Sequence, residues 1–490
     1  VADPQQVYDA EETATQLART LPGMRRETLL VKLRRPGRYA LLKRALTPEE
    51  QQTVNDLGLP GIGFEPVEHR VYPQRELAAH VVGTVNAANE GTWGVERFFD
   101  APLREETAAG RPLVLSLDVR VQQVLRTELA AAVERFRAKG GNGAVLDART
   151  GEVLAMVSLP DFDPNWATRA SPERLLDRNT RGTYEVGSVF KAFTFAAALE
   201  TGAVALTDRF DTGEPLRLGR HRVRDYRGHE RPLSVPEVFV FSSNIGAARM
   251  AQAVGPEGMQ AFLGRLGLLT RQGIELSGAA APQPPPRWDL IYTSTVAYGH
   301  GIAVTPLHVV GAVATLVNGG RRVPVTLVRR QPGAEAEPEQ RVLSPETSAW
   351  LRWLMWLNGL EGTGRAAQVP GYLVGGKSAS AEKPRGGRYD RKALISSFTA
   401  IFPSHEPRYV VLAMLDEPQG DASTFFEATG GRTAAPVVRR VIERLGPLLG
   451  VPPVDPTVET DFRSRLRVGK AINGRTKREE RSFEAVRPDV

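Results

Sequence analysis

The sequence predicts an α+β layered domain preceded by an elongated N-terminal accessory module, and three observations predict it. Two β runs, residues 143–147 and 152–158, stand early in the chain, joined by the hairpin connection Ala148-Arg149-Thr150-Gly151. Helical patterns dominate from Ser188 to about Gly267. Strand-like runs return near residues 373–381, 395–401 and 409–415. Early and late strands around a helical middle imply one sheet built from both ends of the domain, with helices covering its faces.

Residues 1 to about 110 are rich in Arg, Pro and Glu and carry short helical patterns near residues 10–19 and 48–57. Thr47-Pro48-Glu49-Glu50 reads as a helix start, with Thr47 at the N-cap and Glu50 in the capping-box position. β-like pieces follow around residues 67–71 and 80–85. The texture changes at Arg111. Residues 113–118 read as a strand ending at a helix start, and Val121, Leu125, Leu129 and Val133 recur every four residues, an amphipathic helix. A last helix covers about residues 436–449, and Pro452-Pro453 ends the domain. The expected division is an N-terminal module at 1–110, a main domain at 111–450 and a basic, flexible tail at 451–490.

A chain of 490 residues with 41% hydrophobic and 24% charged residues is an ordinary globular protein with a sizeable core. Much of the net charge of +7 sits at one end: from Asp461 to Val490 there are nine Lys+Arg and five Asp+Glu. Aromatics do not interleave with those basic residues, so nucleic acid is not an expected partner. The absence of cysteine excludes disulfides, thiol catalysis and thiolate metal sites. No apolar run reaches the roughly 18–20 residues that span a bilayer. The chain opens with Val1 and reads as a cut or processed end. Neither a metal nor a cofactor is expected: the seven histidines show no zinc-binding spacing, and no phosphate-binding Gly-Lys-Ser/Thr loop or Gly-x-Ser-x-Gly elbow occurs.

Three motifs carry chemistry. In Glu185-Val186-Gly187-Ser188-Val189-Phe190-Lys191, Gly187 lets the chain turn into a helical run, and Lys191 falls on the same helical face as Ser188. A second Ser-x-x-Lys, Ser380 to Lys383, opens no helical run. Ser242-Ser243-Asn244 lies between two helical patterns, where these residue types serve as caps or aim a hydroxyl and an amide into a cleft. Gly375-Gly376-Lys377-Ser378-Ala379-Ser380-Ala381 places a lysine in a β run framed by small residues. That pattern suits either an edge strand that pairs with an extended peptide or an edge lysine that blocks aggregation.

The order Ser-x-x-Lys, Ser-x-Asn, Lys-Ser-x-Ser resembles the penicillin-recognising serine enzymes. Arg70-Val71-Tyr72-Pro73, Gly94-Val95-Glu96, Ser116-Leu117-Asp118, Phe162-Asp163-Pro164-Asn165 and Tyr298-Gly299-His300-Gly301 extend the likeness to the class B penicillin-binding proteins, most of all the division-specific type. The elongation-specific type is the second choice. The resemblance implies a serine β-lactamase-like transpeptidase fold, with an antiparallel sheet covered by helices. It implies that Ser188 is the acylated nucleophile, Lys191 its base, Ser242 a proton relay and Asn244 a holder of the peptide stem. Lys377 would polarise the site, and Ser378 and Ser380 would bind the terminal carboxylate. It further implies peptidoglycan stem peptides and β-lactams as ligands, a membrane-embedded glycan polymerase and other division proteins as partners, and a membrane-anchored protein on the periplasmic face of the inner membrane. Two positions depart from the pattern: Ala379 where the family usually has Gly, expected to crowd the strand where substrate docks, and Val186 where proline is common.

A lysine base poses an energetic demand. Bringing an amine from about 10.4 to about 7 costs roughly 4–5 kcal/mol, and a helix dipole supplies only about 0.3–1 kcal/mol. Burial and a second cation must do the rest, and Lys377 is the candidate. A β-lactamase or carboxypeptidase, or a non-catalytic penicillin-binding scaffold, would share the same motifs.

Overall fold

The computed structural model describes residues 1–108, 110–219, 221–331, 340–386 and 388–462. The most basic part of the predicted tail, 463–490, lies outside the described residues. The chain forms two compact units: residues 1–71 with 87–89, and residues 72–86 with 90 onward.

The smaller unit gathers helices Ala10–Thr20, Arg26–Leu33 and Pro48–Asp56 around Leu17, Leu29, Leu33 and Val54. The Thr47–Glu50 capping box forms as read, with both reciprocal hydrogen bonds at 3.1 Å. Residues 67–71 form no strand. In the larger unit, 80–85 is not a continuous β piece either. Ala79–Val82 is helical, Gly83 at φ +85° ends the turn, and only Thr84–Val85 pairs as a strand. Burial of His80, whose Nε2 lies 2.7 Å from the Arg174 carbonyl, holds that turn in place.

The larger unit is built on a five-stranded antiparallel sheet of β1 (Gly140–Asp147), β2 (Val153–Leu159), β3 (Gly375–Arg385), β4 (Arg388–Phe402) and β5 (Tyr409–Asp416), in the order β2-β1-β5-β4-β3. Alternate residues of one strand serve opposite faces. Val411, Ala413 and Leu415 pack under helices α1 (Val119–Arg135) and α7 (Ala435–Leu448), while Val410 and Leu412 join the larger core on the other side. That second core holds α2 (Lys191–Glu200), α3 (Val235–Val240), α4 (Asn244–Val254), α5 (Pro306–Val317) and α6 (Pro345–Glu361). With both faces covered, β5 reads Tyr-Val-Val-Leu-Ala-Met-Leu-Asp and is buried throughout.

Residues 113–118 do not form a regular strand. Leu115 makes one isolated bridge to Val328, and the Ser116 hydroxyl donates to the Val153 carbonyl at 2.8 Å. Beyond Pro453 the chain stays on the domain, where Phe462 packs against Trp356 with ring centroids 5.1 Å apart. No helix among the described residues is long and apolar enough to cross a membrane.

Candidate active site

Ser188 stands in a short 3-10 turn, Gly187–Phe190, that runs directly into α2. Gly187 has φ +54°, a conformation few side chains tolerate. The loop Tyr298-Gly299-His300-Gly301 backs this turn so closely that a Cβ on Gly299, itself at φ +83°, would sit 2.3 Å from the Gly187 carbonyl oxygen. Ser188 is partly exposed, whereas Lys191, one turn on, is fully buried. The i, i+3 spacing puts Lys191 Nζ 2.9 Å from Ser188 Oγ.

The Ser-Ser-Asn motif joins α3 to α4 across the cleft. Ser242 takes the left-handed region at φ +58°, which turns both its carbonyl and its hydroxyl onto Lys191 at 2.6 and 3.0 Å. Asn244 Oδ1 is 2.7 Å from the same Nζ, and Asn244 Nδ2 donates to the Arg224 carbonyl at 3.0 Å. The adjacent Ser243 faces away and caps α4, accepting from Gly246 N–H at 2.9 Å.

Lys377 lies on β3, which among the described residues pairs only with β4 and leaves its other edge free. Its side chain is nonetheless fully buried. Nζ donates to Ser242 Oγ at 2.9 Å and sits 5.8 Å from the centre of the Phe239 ring. It is therefore a cleft cation and not a solvent-facing lysine guarding the edge. Ser378 and Ser380 occupy the alternate positions. Neither bonds the cluster, and Ser380 Oγ accepts from Gly430 N–H at 2.9 Å. The second Ser-x-x-Lys lies within the strand, where i and i+3 point to opposite faces. Lys383 there pairs with Asp416 at 2.7 Å and Glu417 at 2.9 Å. Ala379 is 3% exposed, and its methyl faces the Gly187 turn. This methyl packs against the Gly187 turn and does not project from the free edge of β3.

Burial drives both lysines down. Lys377 falls to about 7, and Lys191 lies well below its ordinary value because the Lys377 charge adds to its desolvation. The contacts of Lys191 accommodate a neutral amine. Two of its partners, the Ser242 carbonyl and Asn244 Oδ1, can only accept, which uses both hydrogens of a neutral amine. The remaining lone pair faces the hydroxyls of Ser188 and Ser242, so the geometry suits proton removal from either.

Several supporting residues were not evident from the sequence. Asp225 accepts from Ser243 Oγ at 2.6 Å, Asn244 N–H at 2.6 Å and Ile245 N–H at 3.0 Å, which fixes the motif loop. Glu185 Oε1 accepts from Gly301 N–H at 2.9 Å and from the Tyr389 hydroxyl at 3.0 Å, tying the Ser188 turn to the loop behind it and to β4. His300, near Lys191, is pushed down to about 4, chiefly by burial. Glu237, 2% exposed, caps α3 with Ser234 and pairs with Arg231; these contacts outweigh its burial and hold it at about 2. Glu185 and His300 sat within quoted motifs, but nothing local marked the partners of Glu185, 116 and 204 residues away.

Comparison with known proteins agrees with this arrangement. The profile of the penicillin-binding protein transpeptidase domain matches residues 141–443, and that of the penicillin-binding protein dimerisation domain matches residues 1–107. The chain is 42% identical, over 92% of its length and 78% of the relative's, to the probable peptidoglycan D,D-transpeptidase FtsI of Caulobacter vibrioides. It is 30% identical to stage V sporulation protein D of Bacillus subtilis, over 94% of this chain and 76% of that one. Among solved structures it resembles penicillin-binding protein 3 of Mycobacterium tuberculosis in complex with aztreonam, with a TM-score of 0.70 and 30% identity over 79% of this chain and 92% of that one. The transpeptidase domain of penicillin-binding protein 3 from Burkholderia pseudomallei gives 0.62 and 33%, covering 70% and 98%. With a dimerisation domain followed by a transpeptidase domain, and with an FtsI relative aligned over most of its length, the chain belongs to the class B penicillin-binding proteins of the division type.

Proposed function

We propose that this protein is a peptidoglycan D,D-transpeptidase of septal wall synthesis that works through an acyl-enzyme on Ser188. The observation that carries the assignment of roles is the single hydrogen-bonded cluster of Ser188, Lys191, Ser242, Asn244 and Lys377. Neutral Lys191 takes the Ser188 proton as Oγ attacks the penultimate D-Ala carbonyl of a stem peptide. The proton passes by way of Ser242 to the departing D-Ala amine. Lys377 donates to the Ser242 oxygen, and as Lys191 returns its proton to that oxygen the hydroxyl's own hydrogen passes to the departing amine. The backbone N–H groups of Ser188 and Ser380 receive the developing oxyanion. The free edge of β3 pairs with the extended stem, and Ser378 and Ser380 take its terminal carboxylate. An amine from a neighbouring stem then attacks the ester, forms the crosslink and frees Ser188.

A β-lactam mimics the D-Ala-D-Ala end and stays on Ser188. We place the enzyme at the periplasmic face of the inner membrane, with the module at 1–110 meeting a glycan polymerase and other division proteins. The likeness to FtsI supports the location, and the partners rest on the family resemblance.

Labelling with a fluorescent penicillin tests the assignment. The wild-type protein should take up one label per chain and Ser188→Ala none. Labelling that survives the substitution would refute Ser188 as nucleophile, and rapid multiple turnover of penicillin would favour a hydrolase.

A further inference from the structure

Beside the cleft stands a hairpin of Leu216–Leu218 and His221–Val223 that presents positive charge outward. Residues 216–227 contain five arginines and one carboxylate, Asp225, which is already committed to the Ser-Ser-Asn loop. Arg217 and Arg222 stand directly opposite each other across the two strands, and both are exposed. Like charges in that position repel, with Cβ atoms about 4.5–5.5 Å apart. Exposed Arg224 and Arg227 continue the patch. Among the described residues, none of these four guanidiniums has an ion-pair partner. Tyr226 lies between the last two and is 84% exposed, an aromatic face of the kind on which sugar rings stack.

The underside of the hairpin is fixed to the catalytic machinery. Leu218 and Val223 are buried against Ile245, the residue after Asn244, with Tyr298 packed alongside. The chain then runs from Arg224, whose carbonyl holds the Asn244 amide, into Asp225. Unbalanced, self-repelling charge on a support packed against the Ser-Ser-Asn loop suits an anion, and the chemistry of the cleft points to which. Resting on the transpeptidase reading, we propose that Arg217, Arg222, Arg224 and Arg227 form a docking face for the carboxylate-bearing strand of uncrosslinked peptidoglycan whose stem enters the cleft. The stem carboxylates answer the guanidiniums, and Tyr226 lies against the glycan.

Binding of the full chain to soluble uncrosslinked glycan–peptide strands, followed across ionic strength, tests this. Arg217→Gln/Arg222→Gln/Arg227→Gln removes charge, relieves the repelling pair and leaves the hairpin core intact. Glutamate at the same three positions gives a stronger version. The glutamine variant should acylate with fluorescent penicillin within about twofold of wild type, bind strands about tenfold more weakly and lose most of the salt dependence. Strands with amidated carboxylates should bind wild type as weakly as ordinary strands bind the variant. Undiminished binding by the folded variant, or equal binding of amidated strands, would overturn the proposal. So would a loss seen on phosphatidylglycerol vesicles and not on strands, which would assign the face to membrane. Absence of penicillin labelling in the wild type would instead fault the transpeptidase reading beneath it.

Discussion

Lys191 and Lys377 converge on one hydroxyl: Ser242 Oγ lies 3.0 Å from the Nζ of the first and 2.9 Å from that of the second. Two ammoniums so close would repel by roughly 3 kcal/mol at an effective dielectric of 20. Burial penalises both charges further. The site therefore disfavours two charges at once, and the amine beside Ser188 is the more strongly depressed.

The pH dependence of acylation follows from this pair. The rate of penicillin acylation should rise with pH as Lys191 loses its proton. In Lys377→Gln the neighbouring cation is gone, so the Lys191 value rises and the ascending limb moves to higher pH. The plateau should fall about 10²–10³-fold, since a charge aimed at the reacting centre is lost. Stopped-flow acylation across pH checks both effects.

The same lysine costs stability. A base whose value falls from 10.5 to about 7 on folding binds fewer protons in the native state than in the unfolded chain between those limits. Unfolding free energy therefore rises with pH from about 7 to about 10.5, and this slope should shrink in Lys377→Met. At neutral pH that variant should be about 1–4 kcal/mol more stable while inactive, as when a buried charge yields to an apolar side chain. Urea denaturation at pH 7 and pH 9 measures it.

Neighbouring serines should separate cleanly. Ser242→Ala removes the hydroxyl shared by both lysines; it should slow acylation about 10²–10⁴-fold and cost about 1–3 kcal/mol of stability, since buried Lys377 loses its acceptor. Ser243→Ala removes a helix cap and an Asp225 partner. It should cost about 1 kcal/mol of stability and far less of the rate. Thermal midpoints beside acylation rates distinguish the two.

Gly299→Ala should slow acylation by more than about 10²-fold, because the added methyl meets the Gly187 carbonyl at 2.3 Å and shifts the nucleophile turn. Ala379→Gly makes the opposite point. The inward methyl can be removed with acylation changed by less than about threefold and a stability loss of about 0.5–1 kcal/mol. A crystal structure of each acyl-enzyme would show the turn displaced in the first and unchanged in the second.

What the sequence made legible was local or periodic. The sheet could be read because β1, β2, β4 and β5 are apolar β runs bounded by turns, and α1 because Val121, Leu125 and Leu129 repeat along one face. The Ser188–Lys191 contact could be read because a single helical turn sets its geometry. The short segments failed where a tertiary contact decided the matter. Residues 80–85 have strand-like composition, but the buried His80 bond to the Arg174 carbonyl selects a helical turn. Leu115 pairs only at one point, with a loop more than 200 residues away. Asp225 carries no local mark of its role, since its partners Ser243 and Asn244 reach it only after the hairpin and α3 have folded.

Position 242 now takes on a different importance. A serine held at φ +58° presents main chain and side chain to the same amine. Threonine would keep the hydroxyl, but a β-branched residue fits that backbone region poorly. Under antibiotic selection, the obvious conservative exchange at this residue is therefore disfavoured by conformation, which steers escape towards sites outside this turn.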